Sequence, residues 1–458
     1  MCVSTHAEQL RDALVDELLE AGMVRTPRVE VAMRTVPRHV FLPGTPLRRA
    51  YANEVVQTKR DADGVPISAA SQPSIVGAML EQLGVSPGMR ILEIGAGTGY
   101  NAALLAYLAG DRGEVVTVDV DDDIVAGART ALAAAGAANV TVLRGDGALG
   151  APGFAPFDRI MATAGVWDLP LAWQEQLAPG GRIVAPLRLR GSVTRSIAFQ
   201  RRAGAAPGEA AALHSVSSEM CGFMPLRESV ASDPRRLVPL TPGGDVTLEV
   251  QQEQDADPEL LRGVLDTERA TVWTGVGFTD VASAEWLYLW LTCALPGGLF
   301  GIAVQPSAAD RGVVAPMFRW GAMATVAGDS LAYLTFGPVA ADGDGASAAS
   351  GAAGGGPREV GIIGHGPRAR ELAGSVAEEV RSWHHGYRTR TAEFTIRPVA
   401  AAGAACHGTA DHEAAGHEAA GHEAAGHEAA GHEAGGHDPG EFAIRTPNNL
   451  ITVSWRET

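Results

Sequence analysis

Ile91-Leu92-Glu93-Ile94-Gly95-Ala96-Gly97-Thr98-Gly99-Tyr100 is the stretch on which the reading of this chain turns. An apolar run holding one acid leads into three glycines at alternate positions, then into the apolar residues up to Ala109, and so predicts a buried strand, a tight turn and a helix. On its N-terminal side the pattern predicts a helix over 75–83 and the strand over 90–94. On its C-terminal side follow a strand at Glu114–Asp119, a helix at 122–135, strands at 140–143 and 157–163, and a helix at 170–177. Pro179-Gly180-Gly181 ends that helix, and Arg182–Pro186 reads as another strand. Strands alternating with helices of this length imply an α/β domain with a doubly wound, mostly parallel sheet. At the start of the chain Leu10, Leu14, Leu18 and Leu19 recur at helical spacing until Gly22 stops them.

A glycine-rich turn lets backbone approach a ligand, but alone it does not separate a dinucleotide site from a methyl-donor site. The surroundings do. Glu93 lies inside the strand two residues before Gly95, and the third glycine comes two residues after the second, unlike the Gly-x-Gly-x-x-Gly of pyrophosphate binders. Val115–Asp119 ends the next strand in an acid 24 residues after Gly95, placed to accept hydrogen bonds from both ribose hydroxyls. Gly145-Asp146-Gly147 offers a further carboxylate after the third strand, toward an adenine amine. Acids at three successive strand ends describe a site for S-adenosyl-L-methionine; the competing reading is that they are only turn residues of a nucleotide-like fold.

Val36-Pro37-Arg38-His39-Val40-Phe41, Ser71-Gln72-Pro73, Leu92 to Tyr100, Gly145-Asp146-Gly147, Ala155-Pro156-Phe157-Asp158-Arg159-Ile160 and Leu177-Ala178-Pro179-Gly180-Gly181-Arg182 recur in one chain. In that combination, over roughly residues 8 to 226, the sequence resembles the protein-L-isoaspartate O-methyltransferase family. The resemblance implies a class I methyltransferase with a Rossmann-like fold. It also implies that Glu93, Gly95 and Gly97 line the methionine and ribose region, that Asp119 holds the ribose, and that Asp146 and Gly147 face the adenine. Ala96, Thr98, Gly99 and Thr163 complete the expected cofactor set.

Methyl transfer from a sulfonium to a carboxylate oxygen is an in-line displacement in which both reactants lose charge, so desolvation and alignment supply much of the acceleration. No strong base is needed. The site needs a donor that orients the carboxylate without smothering its nucleophilic oxygen, and a neutral hydroxyl does this better than an arginine. By resemblance that hydroxyl is the serine before the helix, which is Ser71 here; the rival reading makes Ser71 a helix cap ahead of Pro73. The family's usual Thr-Ile-Ser run lies directly before Gln-Pro or Ala-Pro. In this chain Ala69-Ala70 separates Ile67-Ser68 from Ser71-Gln72-Pro73, so Ser68 shares or takes over the contact, and the preference for isoaspartate is in question.

Some relatives carry an added C-terminal domain and modify ribosomally made peptides such as lanthipeptides and graspetides, methylating an ordinary Asp whose ester then closes to a succinimide. The Ser-x-x-Ser-Gln-Pro-Ser run, Cys221-Gly222-Phe223-Met224-Pro225 and the long region beyond resemble that branch. The expected partner is therefore a peptide or protein carrying Asp or isoAsp. General repair of isoaspartyl proteins and a non-catalytic cofactor- or peptide-binding protein are the alternatives.

Composition narrows the rest. A formal net charge of −17 argues against nucleic-acid binding, which draws on clustered Lys and Arg. Lys59 is the chain's one lysine, leaving little for Schiff-base chemistry. Cys2, Cys221, Cys293 and Cys406 have no paired spacing, so neither a metal site nor a disulfide framework is expected, and a reducing cytoplasm fits. Residues 1–20 do not read as a secretory signal, and no run approaches the ~18 apolar residues of a membrane span.

The expected organisation is a methyltransferase domain over 1–230, a C-terminal α+β domain over 231–398 with a mobile low-complexity loop at 340–357, a disordered His-Glu-Ala-Ala-Gly repeat over 399–440, and a final strand in 441–458 returning to the C-terminal domain. The repeat turns ~140° per period on a helix, so its histidines share no face. It reads as a solvated expansion, with adventitious metal binding the alternative. His39 reads as a packing or hydrogen-bonding residue, His384-His385 as a helix end, and Trp286 with Trp290 as a core stripe. Oligomeric state is left open.

Overall fold

The computed structural model describes residues 5–191, 194–202, 211–227, 235–251, 254–278, 284–339, 358–399 and 440–457. The low-complexity loop and the histidine repeat lie outside these residues. In chain order the first half carries α1 (His6–Glu20), α2 (Pro27–Thr35), α3 (Leu47–Ala50), β1 (Val56–Arg60), β2 (Pro66–Ala70), α4 (Pro73–Leu83), β3 (Arg90–Ile94), α5 (Tyr100–Ala109), β4 (Glu114–Asp119), α6 (Asp122–Ala134), β5 (Val140–Arg144), β6 (Phe157–Ala162), α7 (Leu171–Gln176), β7 (Leu177–Arg188), β8 (Thr194–Arg202) and β9 (Ala212–Met220). The second half carries β10 (Arg236–Pro239), β11 (Val246–Val250), β12 (Ala270–Phe278), α8 (Glu285–Ala294), β13 (Phe300–Val304), α9 (Pro306–Asp310), β14 (Gly321–Ala327), β15 (Ser330–Pro338), β16 (Arg358–His365), α10 (Ala369–Gly386), β17 (Thr391–Pro398), β18 (Glu441–Arg445) and β19 (Asn449–Arg456).

The larger sheet has ten strands in the order β18-β19-β17-β9-β8-β7-β6-β3-β4-β5. Its β5-β4-β3-β6-β7 half is parallel, as the strand-helix alternation predicts. From β7 onward every pairing is antiparallel. The fold is thus α/β with a mixed sheet, and the strand order reverses direction around β3, where doubly wound folds place their ligands. Alternate residues of the parallel strands feed two cores. Ile91, Val115, Met161 and Val184 pack with α1, α2 and α4–α6. Leu92, Ile94, Val116, Ile160 and Ile183 pack on the other side with Trp173 of α7 and with the second half of the chain.

The second sheet is antiparallel, in the order β10-β11-β13-β14-β15-β16-β12, and α10 lies against β12, β15 and β16. Its core is continuous with the second core of the larger sheet. Here the structure departs from the sequence reading. The final strand does return to the 231–398 region, β19 pairing with β17 along Thr391–Pro398, but β17 itself pairs with β9, so the chain's last strands extend the first sheet and not a sheet of their own. The cause is aromatic packing: Trp286 and Trp290 of α8 meet Trp455 of β19, with ring centroids 5.8 Å apart in both pairs. Phe442 of β18 stands edge-on to Trp290. The apolar stripe read from sequence is therefore a core stripe whose partner is the terminal hairpin. Pro179-Gly180-Gly181 does not interrupt the chain either, since β7 runs through it from Leu177 to Arg188.

Candidate active site

The site grows from the end of β3. Gly95, at φ +95°, sits in a conformation that favours glycine, and a Cβ there would lie 2.6 Å from Thr163 Oγ1. The Thr163 hydroxyl lies 2.7 Å from the carbonyl of Gly95 and 3.1 Å from that of Ile94, so the residue after β6 clamps the turn after β3. Gly147 is crowded in the same way, with Ile94 Cγ2 2.6 Å from an added Cβ. Its carbonyl accepts a 2.8 Å hydrogen bond from the buried Trp173 indole.

Glu93 is fully buried. Parallel register sets Thr117 beside it, and Thr117 Oγ1 donates to Oε2 at 2.5 Å while Asn101 Nδ2 donates to Oε1 at 2.8 Å. Burial pushes its carboxyl up to about 7, with the Thr117 and Asn101 hydrogen bonds pulling the other way. Asp119 closes β4 and accepts from Gly97 N–H at 3.0 Å on Oδ2 and from Val120 N–H at 2.9 Å on Oδ1. Oδ1 accepts from Asp121 N–H as well, at 3.3 Å, so the acceptor capacity left for a ribose hydroxyl lies mainly on Oδ2.

One solvent-open cleft of about 990 Å³ is lined by Ser68, Ser71, Glu93, Gly95, Ala96, Gly97, Thr98, Asp119, Gly147 and Thr163. Ten of the twelve residues singled out from sequence thus meet in one place. The other two stand one step back. Gly99 starts α5 and packs toward Leu132 and Ala128. Asp146 caps the turn after β5, its Oδ1 accepting from Ala148 N–H at 2.9 Å. Its expected place on the cleft wall is taken by Gly147.

The two serines differ. Ser68 is buried and accepts a 3.1 Å hydrogen bond from Thr58 across the β1–β2 hairpin. Ser71 is half-buried, lines the cleft, and its hydroxyl has no protein hydrogen bond among the described residues. Nor does it cap α4: Gln72 holds the cap position without a side-chain bond, and Ser74 N–H is satisfied at 3.0 Å by Asn53 Oδ1.

Sequence reasoning missed part of the wall. Phe223, Met224, Pro225, Leu226 and Arg227 close one side, held by Gly165 N–H to Met224 O and Leu226 N–H to Gly165 O, both at 2.8 Å. Arg227 reaches Asp121 at 2.6 Å, and Lys59 of β1 reaches the same carboxylate at 3.1 Å, linking that wall to the hairpin that carries Ser68. Arg38 also lines the cleft, and although the Pro37-Arg38-His39 run was visible, nothing in its spacing marks a role. His39 hydrogen-bonds Tyr51 at 2.7 Å and packs against its ring.

Residues 8–225 match the family model described as protein-L-isoaspartate(D-aspartate) O-methyltransferase. A protein named protein-L-isoaspartate O-methyltransferase from Methanoregula boonei is 44% identical over 177 residues, which cover 39% of this chain and 77% of that one. The chain belongs to the protein-L-isoaspartate O-methyltransferase family. A relative of the same name from Rhodopseudomonas palustris is 42% identical over 194 residues, 42% of this chain and 74% of its own length. A solved protein-L-isoaspartate O-methyltransferase aligns at 25% identity with a TM-score of 0.43, covering 56% of this chain and 91% of that structure.

As a member of this family the chain is an S-adenosyl-L-methionine-dependent methyltransferase with a class I fold. The residues fit that cofactor, because Gly95, Gly97 and Gly147 line the cleft without side chains, Gly95 and Gly147 packed too closely on Thr163 and Ile94 to carry one, and Asp119 presents a carboxylate on the same wall. Among the described residues no helix is long and apolar enough to cross a membrane. Among the same residues no group of metal-binding side chains occurs.

Proposed function

We propose that this protein methylates the carboxylate of an Asp or isoAsp residue in a peptide, so that a succinimide can form, and that it does so in the maturation of a ribosomally made peptide. One observation carries the chemical part. Ser71 presents an uncommitted hydroxyl to the cleft that the glycine turn and Asp119 also line, whereas the neighbouring Ser68 hydroxyl is tied to Thr58.

In this reading Glu93, Gly95, Ala96, Gly97, Thr98 and Thr163 hold the methionine end of the cofactor, Asp119 holds the ribose, and Gly147 flanks the adenine, with Asp146 shaping the turn behind it. Bound there, the cofactor supplies an electrophilic methyl on a sulfonium. Ser71 Oγ donates one hydrogen bond to the substrate carboxylate, leaving its other oxygen free to attack. Glu93 is no candidate base, since both its oxygens are engaged by Thr117 and Asn101. The hairpin β1–β2 and the Phe223–Arg227 strap wall the cleft on two sides, so a peptide seated between them would displace water and strengthen the pull toward neutralised products.

The maturation reading is supported by the region beyond the family match. It shares a core with the larger sheet and sets Arg227 on the cleft wall. The repair reading is favoured by the names of the relatives. Methyl-labelled cofactor offered with matched isoaspartyl and aspartyl peptides separates them. Maturation predicts base-labile label at ordinary Asp in a partner peptide; repair predicts it at isoaspartate in any accessible peptide. Base-stable label would refute carboxyl transfer, and tight cofactor binding without label on any peptide would leave a binding protein. Ser71→Ala is expected to lower kcat about 10- to 100-fold and Ser68→Ala less than about 3-fold. The reverse order would transfer the role to Ser68.

A further inference from the structure

Arg38 is the anomaly of the cleft. It is 1% exposed, yet among the described residues no carboxylate pairs with it. Its Nε donates to Ala50 O at 3.0 Å, its Nη2 donates to Ser71 O at 2.9 Å, and its Nη1 has no hydrogen-bond partner among the described residues. The guanidinium lies 5.1 Å over the ring of Tyr100, the first residue of the helix that follows the glycine turn. Burying a cation without a counter-ion costs several kcal/mol, and a well-packed apolar side chain in its place is often neutral or stabilising. A framework role alone gives no reason to keep the charge.

The charged side chains on the cleft wall are Arg38, Glu93, Asp119 and Arg227, and Arg227 is already bonded to Asp121. An incoming carboxylate therefore meets two acids, and Arg38 is the wall's one cation without an acidic partner among the described residues. One side chain thus ties the carbonyl of Ser71 to α3 and to the start of α5, while its charge offsets the acids beside which the substrate must sit.

We propose that Arg38 is a positioning residue for methyl transfer: by holding the Ser71 carbonyl against the base of the glycine turn it fixes where the Ser71 hydroxyl meets the substrate carboxylate, and its unpaired charge favours that carboxylate's anionic form. This rests on the reading of Ser71 given above. The inference is new at Arg38, which acts through Ser71 and through the field of the cleft and not by contact with the reacting atoms.

The test is a double-mutant cycle on the full chain with Arg38→Met and Ser71→Ala, measured with labelled S-adenosyl-L-methionine and whichever aspartyl or isoaspartyl peptide the wild type methylates. Arg38→Met is expected to lower kcat about 10- to 100-fold and to raise the peptide KM about 3- to 10-fold, while its affinity for S-adenosylhomocysteine stays within about 3-fold and its melting temperature changes little, relief from burying a cation offsetting the two carbonyls left without donors. In the Ser71→Ala background the same change is expected to cost less than about 3-fold, since the hydroxyl it positions is gone. Arg38→Lys keeps the charge but cannot span both carbonyls, so it is expected to restore KM and not kcat. Independent, multiplicative losses overturn the proposal, as does a loss of S-adenosylhomocysteine affinity that parallels the loss of rate. Insolubility of both Arg38 variants also overturns it, by assigning the residue to the framework. Full activity of Ser71→Ala alone withdraws the Ser71 reading and this inference with it; an impaired Ser71→Ala with uncoupled Arg38 effects removes the inference only.

Discussion

Glu93 is a fully buried acid on the wall of the cleft. Its carboxyl is raised from 4.5 to about 7 by burial, so between those values the folded chain holds a proton that the unfolded chain releases. Stability contributed at this position therefore declines as pH rises from about 4.5 to 7 and is level above, by an amount on the order of 3 kcal/mol. Glu93→Gln should flatten that part of the pH-stability curve in urea titrations and stabilise the ligand-free protein at pH 8. A mutant curve with the wild-type slope would show that Glu93 titrates as an ordinary surface acid. At this scale Glu93 and Asp119 were legible because acids at the ends of apolar strands have few structural uses. Asp146 was expected at the adenine but stands behind the cleft wall, because its carboxylate caps Ala148 in a turn whose geometry a carboxylate and two glycines do not specify. Arg38 was illegible for a related reason: its partners are the carbonyls of Ala50 and Ser71, and backbone acceptors leave no trace in sequence.

The elements that position the site were mostly written in the hydrophobic pattern. β3 and α5 begin and end where their apolar runs and glycines do, because both are largely buried and are followed by a glycine with positive φ, Gly95 and Gly110, while β4 follows its apolar run alone. The β1–β2 hairpin escaped notice: its first strand, Val56–Arg60, is mostly exposed and polar, so it lacks the alternation that marks a half-buried strand. That hairpin nevertheless carries Ser68 and delivers Ser71. The turn after β3 depends in turn on Thr163, whose hydroxyl reaches the Gly95 carbonyl. Thr163→Val keeps the shape of the side chain but removes that clamp, and should weaken S-adenosylhomocysteine binding about 10-fold with little change in melting temperature, by calorimetry and thermal denaturation. Unchanged affinity would mean that the glycine turn holds its form without β6.

Across the whole molecule, the second half of the chain buries a face of the first sheet. Ile183, Ala185, Ile197, Phe199 and Leu213 share one core with Leu248, Val250, Leu287 and Ile302. Arg195 of β8 adds a polar joint, stacking 3.9 Å from the Trp286 ring and standing 2.7 Å from Glu285 Oε2, an ion-pair contact off hydrogen-bond geometry. The terminal hairpin is pinned at its turn: Asp168, in the loop after β6, accepts from Thr446 at 2.6 Å, from Asn448 N–H at 2.7 Å and from Asn449 Nδ2 at 2.5 Å. Alternation in the last strand shows that one of its faces is buried but not which sheet it joins, and that choice was made by Asp168 and the tryptophans. Asp168→Ala strands several donors in a buried place and should destabilise the protein by about 2–4 kcal/mol in urea denaturation. A loss below about 0.5 kcal/mol would mean that the hairpin is held by its aromatic face alone.

Methyl transfer in this cleft requires the donor to lie across the ends of β3, β4 and β5, with its ribose on the β4 carboxylate. Isothermal titration of S-adenosylhomocysteine into the purified full chain, beside its Asp119→Ala variant, tests this most directly. One site per chain is expected, with a micromolar dissociation constant weakened at least about 10-fold in the variant while its urea midpoint is retained. No binding to the wild type, or equal binding by both proteins, would contradict it.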